Sequence, residues 1–259
     1  MTFLPLRSLV VACALLIPTW AQAQDDSTIL TPQQRAFVKS IPVSSGPLDN
    51  RSGKFDTRYV EAPFDSVEAI YENPTVTNMA MKTFPDGRVE AQADVHGIFP
   101  VEPMAMARAI ATYGQYNLIS HRTIFSEDRS PAVGPFEYHK QIQMISASFL
   151  GIGKTYLFVT NDYSERLSSS SYGFKWNLER SFQNAFYLLD GSWYLRAVAY
   201  QGRACTYVRY FNQTGFNQPP PIPLPILQHF IALDYKRLLT DTFHRAVEMS
   251  SETEQLSRR

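Results

Sequence analysis

This 259-residue sequence predicts an α+β fold in which strands in series are closed by one long helix. Three observations point there. Runs of alternating apolar and polar residues recur between positions 88 and 212, separated by turn residues. After Pro225, one long stretch switches to helical spacing. Aromatic residues are abundant, with 17 Phe, 14 Tyr and 3 Trp against only 12 Gly, which suits broad sheets around a bulky interior or a ring-lined cavity. Strands in series followed by a helix imply an antiparallel sheet with one face under that helix.

Composition and the first residues narrow the setting. A hydrophobic fraction of 44% is too high for a disordered chain. With 24 Lys and Arg against 24 Asp and Glu, and no long run of one sign, nucleic acid is not an expected partner. One positive charge at Arg7, an apolar run over 8–18, and Ala21 and Ala23 in small-x-small arrangement predict a secretory signal cleaved after Ala23. The protein is then periplasmic or secreted. A membrane anchor is the alternative reading, but about 11 apolar residues fall short of the roughly 20 that span a bilayer. A lipoprotein at Cys13 is another, with too short a hydrophobic segment after Arg7. No other stretch approaches membrane length, so no transmembrane segment is expected in the mature chain. Loss of the leader leaves Cys205 as the one thiol, expected in the core rather than in a disulfide.

The elements follow in order. Residues 24–87 read as an N-terminal extension. Thr31 and Pro32 cap a helix running to Lys39, 44–53 is loop, and 65–72 is a second short helix capped by Asp65. Residues 76–84 and 88–99 flank Pro85-Asp86-Gly87 as a hairpin. In the second of these, Val89, Ala91, Ala93 and Val95 alternate with Glu90, Gln92, Asp94 and His96. A helix over 104–113 follows, then a linker over 117–130. Strands are expected at 136–148, 154–163, 172–182, 184–189 and 193–200, with Asp190-Gly191 as the turn between the last two. A strand over 204–212 precedes 214–223, whose prolines exclude helix or central strand. The closing helix covers 226–249, with Leu227, Ile231, Leu238, Thr242 and Ala246 on one stripe, and 250–259 is a fraying tail.

Several segments fit a known arrangement. Val95-His-Gly-Ile-Phe-Pro-Val-Glu-Pro-Met104 runs from a strand into a helix, and Tyr113-Gly-Gln-Tyr-Asn-Leu-Ile-Ser-His121 makes a crossover. Asp190-Gly-Ser-Trp193 and Gly202-Arg-Ala-Cys-Thr-Tyr-Val-Arg-Tyr210 sit in late hairpins, and Pro221-Ile-Pro223 leads into the last helix. Their order resembles the START-like superfamily (SRPBCC, or helix-grip), which includes lipid-transfer domains and polyketide cyclases. The resemblance covers 88–249. It implies a curved antiparallel sheet of about seven strands wrapped around the C-terminal helix, with an apolar cavity between them.

Parity within strands nominates the residues that meet a ligand. Phe136, Tyr138, Ile142 and Met144 share one face, Tyr172, Phe174, Trp176 and Leu178 another, and Trp193 and Leu195 a third. Lys140 shares parity with Tyr138 and Ile142, and Arg196 with Tyr194 and Val198. A buried charge needs a partner, so each should meet Asp94, Glu137 or Glu179, or stand at the cavity mouth and anchor a polar group. With the helix, the ligand-binding candidates are Tyr138, Lys140, Ile142, Phe174, Trp176, Trp193, Arg196, Leu227, Phe230 and Ile231. His96 and His139 fall on polar parities and are expected in solvent. No metal spacing, cofactor motif or paired nucleophile and base stands out; Gly151-Ile-Gly153-Lys154 lacks the rest of a phosphate loop. Asn212-Gln-Thr214 is a glycosylation sequon. The expected function is carriage of a hydrophobic small molecule such as a lipid, sterol or polyketide-like compound. Two alternatives are a cyclase or aromatase in which Tyr, Lys140 or Arg196 polarises a carbonyl, and an envelope protein whose N-terminal extension docks a protein partner.

Overall fold

Eight strands form one antiparallel sheet: β1 (Thr75–Thr83), β2 (Val89–Phe99), β3 (Thr123–Asp128), β4 (Tyr138–Phe149), β5 (Ile152–Ser168), β6 (Ser171–Ser181), β7 (Phe186–Tyr200) and β8 (Arg203–Phe216). Their order is β1-β2-β8-β7-β6-β5-β4-β3. The helices are α1 (Pro32–Lys39), α2 (Val67–Ile70), α3 (Pro103–Ile110) and the 34-residue α4 (Leu224–Ser257), with a 3-10 helix at Tyr113–Leu118. This computed structural model describes residues 29–43, 67–130, 138–149, 152–219 and 221–257. The leader and its cleavage site, Cys13, the 44–53 loop, the Asp65 cap, Phe136 and Glu137 lie outside the described residues.

Seven strands, β2 to β8, make the expected sheet, and β1 adds an eighth along the edge of β2. From β2 the chain crosses through α3 and the 3-10 helix to β3 at the opposite edge, then returns strand by strand until β8 closes beside β2. This is the helix-grip arrangement that the sequence led us to expect. Laid flat, eight strands would span roughly 33 Å at about 4.7 Å each, three times the diameter of a helix. Yet both edges reach α4. Gln228 Nε2 donates to the Met79 carbonyl of β1 at 3.3 Å, and Arg122, just before β3, holds Asp234 at 2.8 Å. The sheet therefore curls around the helix.

Local chemistry explains most of the elements. Thr31 and Gln34 form the two reciprocal hydrogen bonds of a capping box at the start of α1. Gly87, at φ +84°, turns the β1–β2 hairpin. The β7–β8 hairpin turns on Gln201 and Gly202, whose φ values of +48° and +73° suit a two-residue primed turn. Asp190-Gly191, expected as a turn, lies instead inside a continuous β7, paired with Asn177 and Trp176 of β6. The glycine is needed there because the Trp176 ring lies on its backbone; a Cβ would sit 2.0 Å from Trp176 Cζ2.

Further boundaries differ, with β5 running on to Ser168 and α3 ending at Ile110. The 117–130 linker contains β3, whose short run is too polar to announce itself. β8 continues to Phe216 because its prolines begin only at 219, so Thr214 occupies a central strand after all. Instead of fraying at Ser250, α4 continues to Ser257.

Both faces of the sheet are covered. Leu30, Val38 and Ile41 around α1 pack on Phe125, Ile142, Met144, Leu157 and Val159 of the outer face. Ile70 of α2 joins Ile98, Tyr194, Cys205 and Tyr207 on the same side. The inner face packs Val95, Phe99, Tyr172, Trp193 and Val208 against α3 and α4, with Phe99 stacked on Phe243 at 5.2 Å. Cys205 is a buried free thiol, as expected.

Candidate functional site

Between the inner face and the N-terminal half of α4 lies a cavity of about 200 Å³. The helix presents Leu227, Phe230, Ile231, Asp234, Tyr235 and Leu238 to it, a spacing that keeps them on one helical face. Opposite them, Trp193 meets Tyr210 edge-on at 4.6 Å, while Trp176 stacks on Tyr210 at 5.6 Å. One end is lined by Ile145, Ala147, Phe158, Phe186 and Phe216, with Phe158 against Phe186 at 5.4 Å and Phe186 against Phe216 at 5.1 Å. This end is walled mostly by apolar groups.

The other end is polar. Asp162 lines it, buried, and accepts a hydrogen bond from the Thr160 hydroxyl at 2.7 Å. Burial drives the Asp162 carboxyl up to about 7; the Thr160 bond and the nearby His139 offset only part of that. Beside it, Gln141 donates to the Tyr113 carbonyl at 2.8 Å and accepts from Gln143. His139 faces Asp162 across the β4–β5 ladder, turns Nδ1 to Asp128 at 2.9 Å, and lies under the Tyr113 ring at 4.2 Å. Its Nε2 is buried with no hydrogen-bond partner. The Tyr116 hydroxyl takes a hydrogen bond from Trp193, and burial raises the phenols of Tyr113, Tyr116, Tyr210 and Tyr235, so all are neutral at physiological pH.

One ionic clasp on the cavity lining ties α4 to the chain just before β3. Asp234 of α4 receives Arg122 through Nε at 2.8 Å and through a terminal nitrogen at 3.2 Å, with His121 Nε2 also at 3.1 Å. Deeper, Asn212 donates to Thr214 at 2.8 Å and to the Tyr235 hydroxyl. With its amide buried and engaged in this way, the Asn212 sequon is closed to glycosylation in the folded chain.

Six of the ten expected ligand residues line the cavity: Phe174, Trp176, Trp193, Leu227, Phe230 and Ile231. Tyr138, Lys140, Ile142 and Arg196 do not. Ile142 packs under α1, Lys140 pairs with Glu179 at 3.1 Å, Tyr138 lies against Tyr163 at 4.8 Å, and Arg196 stands over Tyr207 at 5.7 Å. For the three β4 residues the physical reason is that both faces of β4 are covered; Arg196 lies on the outer face of β7. The apolar parity of β4 is buried by α1, and its polar parity, His139, Gln141 and Gln143, turns inward. The same cause overturns the expectation for the histidines, since His96 and His139 are both buried. On the outer face His96 sits between Asp94 at 3.1 Å and the Tyr207 hydroxyl at 2.7 Å. Asp94 also binds Arg209 through two bonds, one of 2.8 Å.

Sequence reasoning missed Gln141, Gln143, Thr160, Asp162 and Asp234. A usable signal existed for one of them. Asp162 is in phase with Tyr156, Phe158 and Thr160, a carboxylate on an aromatic parity. Among the described residues, no group of three or more His, Cys, Asp or Glu is placed to hold a metal ion, and no helix is long and apolar enough to cross a membrane.

No protein-family model matches the chain, and no curated protein does. Solved structures do resemble it. A STAR-related lipid transfer protein from Xanthomonas axonopodis aligns at 10% identity and a TM-score of 0.47, covering 64% of this chain and 98% of its own. The protein TTHA0849 from Thermus thermophilus aligns at 10% identity and 0.45, covering 61% and 99%. A START superfamily protein from Mycobacterium smegmatis aligns at 9% identity and 0.44, covering 61% and 98%. Strand order and the helix laid across the sheet define the fold.

Proposed function

We propose that this is an exported protein that holds a hydrophobic small molecule in the cavity beneath α4. The observation that carries this reading is the cavity itself, walled by Trp176, Trp193, Phe158, Phe186 and Phe216 but left unfilled by them. Concave, mostly apolar sites with a few convergent polar groups are the usual setting for small-molecule binding. Export rests on the leader over 1–23 and is tested separately, by the N-terminal mass of protein recovered outside the cytoplasm, which should begin at Gln24.

Solvent extraction of protein from its native host, followed by mass spectrometry, tests the binding. The expected result is one apolar compound in near-stoichiometric amount, lost from an Ala147→Trp variant that fills the apolar end. An empty wild-type protein that also fails to bind an uncharged fluorescent apolar probe would overturn the reading.

A further inference from the structure

We infer that the polar end of this cavity selects an uncharged ligand bearing a hydroxyl group, and turns away anionic amphiphiles of the same length. The inference rests on the binding reading above and adds the chemistry of the ligand's polar end.

Few charges face the cavity, and their partners decide what it can accept. Asp162 is a buried carboxyl on the lining, with Thr160 donating to one of its oxygens at 2.7 Å. The second oxygen remains to receive a ligand. His139 stands opposite it in the β4–β5 register, but that imidazole is turned to Asp128 and roofed by Tyr113. The neutral phenols of Tyr113 and Tyr116 complete the surroundings. The described basic residues on the lining, Arg122 and His121, both bind Asp234 of α4. A carboxylate or phosphate seated at the polar end would thus be desolvated beside an acid, without a guanidinium or ammonium to offset it.

A hydroxyl suits the same place. It donates to Asp162 and accepts from a neighbouring donor, so a single group can satisfy both kinds of partner. Near neutrality the Asp162 carboxyl is itself substantially protonated, which lets it donate as well as accept. An ammonium would bind there only by holding Asp162 ionised, at the cost of desolvating both charges. The aliphatic or aromatic body of the ligand then lies toward Phe158, Phe186 and Phe216.

The experiment uses matched probes on the full mature protein freed of bound compounds. Titration calorimetry at pH 6.5 compares 1-decanol, its methyl ether, decanoate and decylammonium. The alcohol is expected to bind at least tenfold tighter than the ether or decanoate, and tighter than the ammonium, a tenfold step being about 1.4 kcal/mol. Asp162→Leu, with the same number of side-chain heavy atoms, should drop the alcohol to the level of the ether. Asp162→Asn should keep the alcohol and improve decanoate. Equal binding of all four, or preference for decanoate, with each still abolished by Ala147→Trp, overturns the selection while leaving the cavity as a binding site. Preference for decylammonium overturns the uncharged ligand. If none of the four binds the cavity, the binding reading and the selection fall together.

Discussion

Two buried aspartates on the same sheet behave in opposite ways. Asp94 lies on the outer face of β2 and Asp162 on the inner face of β5, and both are nearly withdrawn from solvent. Burial pushes both carboxyls toward protonation. For Asp94 that push is overcome by hydrogen bonds from His96 and Arg209 and by their charges, so its carboxyl ends below the ordinary value of 3.8. Asp162 has only the Thr160 hydrogen bond and the attraction of His139, which is itself turned to Asp128, so it ends near 7. The difference lies in the partners, not the depth. On the outer face the protein completes an ion-pair network away from the cavity described above, whereas on the inner face it leaves a carboxyl half-satisfied at the wall of that cavity. An under-satisfied acid in a cavity is the kind of group that marks a site.

Variants can break or sharpen that contrast. The largest effect is expected at Arg209. Replacing it with Met leaves Asp94 as a buried charge with only His96 and should cost about 3–5 kcal/mol, read by chemical denaturation. Replacing Asp94 with Leu in the same chain should recover most of that loss, since the uncompensated charge goes with it.

The next effect has the opposite sign. A carboxyl raised in the folded state binds protons that the unfolded chain releases, so stability falls as pH rises from about 3.8 to about 7. Asp162→Asn removes this penalty. It should therefore stabilise the protein by up to about 4 kcal/mol at pH 8 and by almost nothing at pH 4, as measured by urea midpoints across that range. Asp94 works the other way: its contribution is present above its ordinary value and disappears as pH falls through the lowered one, so Asp94→Asn should matter least in acid.

Smaller effects test the frame around the cavity. A Cβ on Gly191 would meet Trp176 Cζ2 at 2.0 Å and the Phe211 carbonyl at 2.6 Å. Gly191→Ala should displace the indole, lower stability by roughly 1–3 kcal/mol and shift tryptophan fluorescence. Asp234→Asn, which loosens the clasp to Arg122 and His121, should lower global stability by no more than about 1 kcal/mol. Its clearer sign is faster hydrogen exchange in the first turns of α4.

Most of the strands, though not β3 or the continuity of β7, and the closing helix were legible in the sequence because period-two and helical spacing are local properties of the chain. Phe174, Trp176 and Trp193 were legible as inward residues for a related reason: on β6 and the second half of β7, apolar parity and cavity parity coincide. On β4 they do not. Ile142 and Met144 read as cavity residues but pack under α1, and Gln141 and Gln143 read as solvent residues but line the cavity. Parity reports that a side chain is buried, never which layer buries it.

What the sequence determined by itself was therefore the α+β order, the capping of α1, the proline and glycine breaks, and an aromatic content demanding large buried surfaces. What only the tertiary structure decided was which face of each strand looks inward, that Gly191 serves a tryptophan rather than a turn, and that Lys140 belongs to Glu179. It also decided that Asp94 and Asp162 part company. Each of these depends on a neighbour distant in sequence, supplied by a register or a covering helix, and no local pattern encodes the identity of that neighbour.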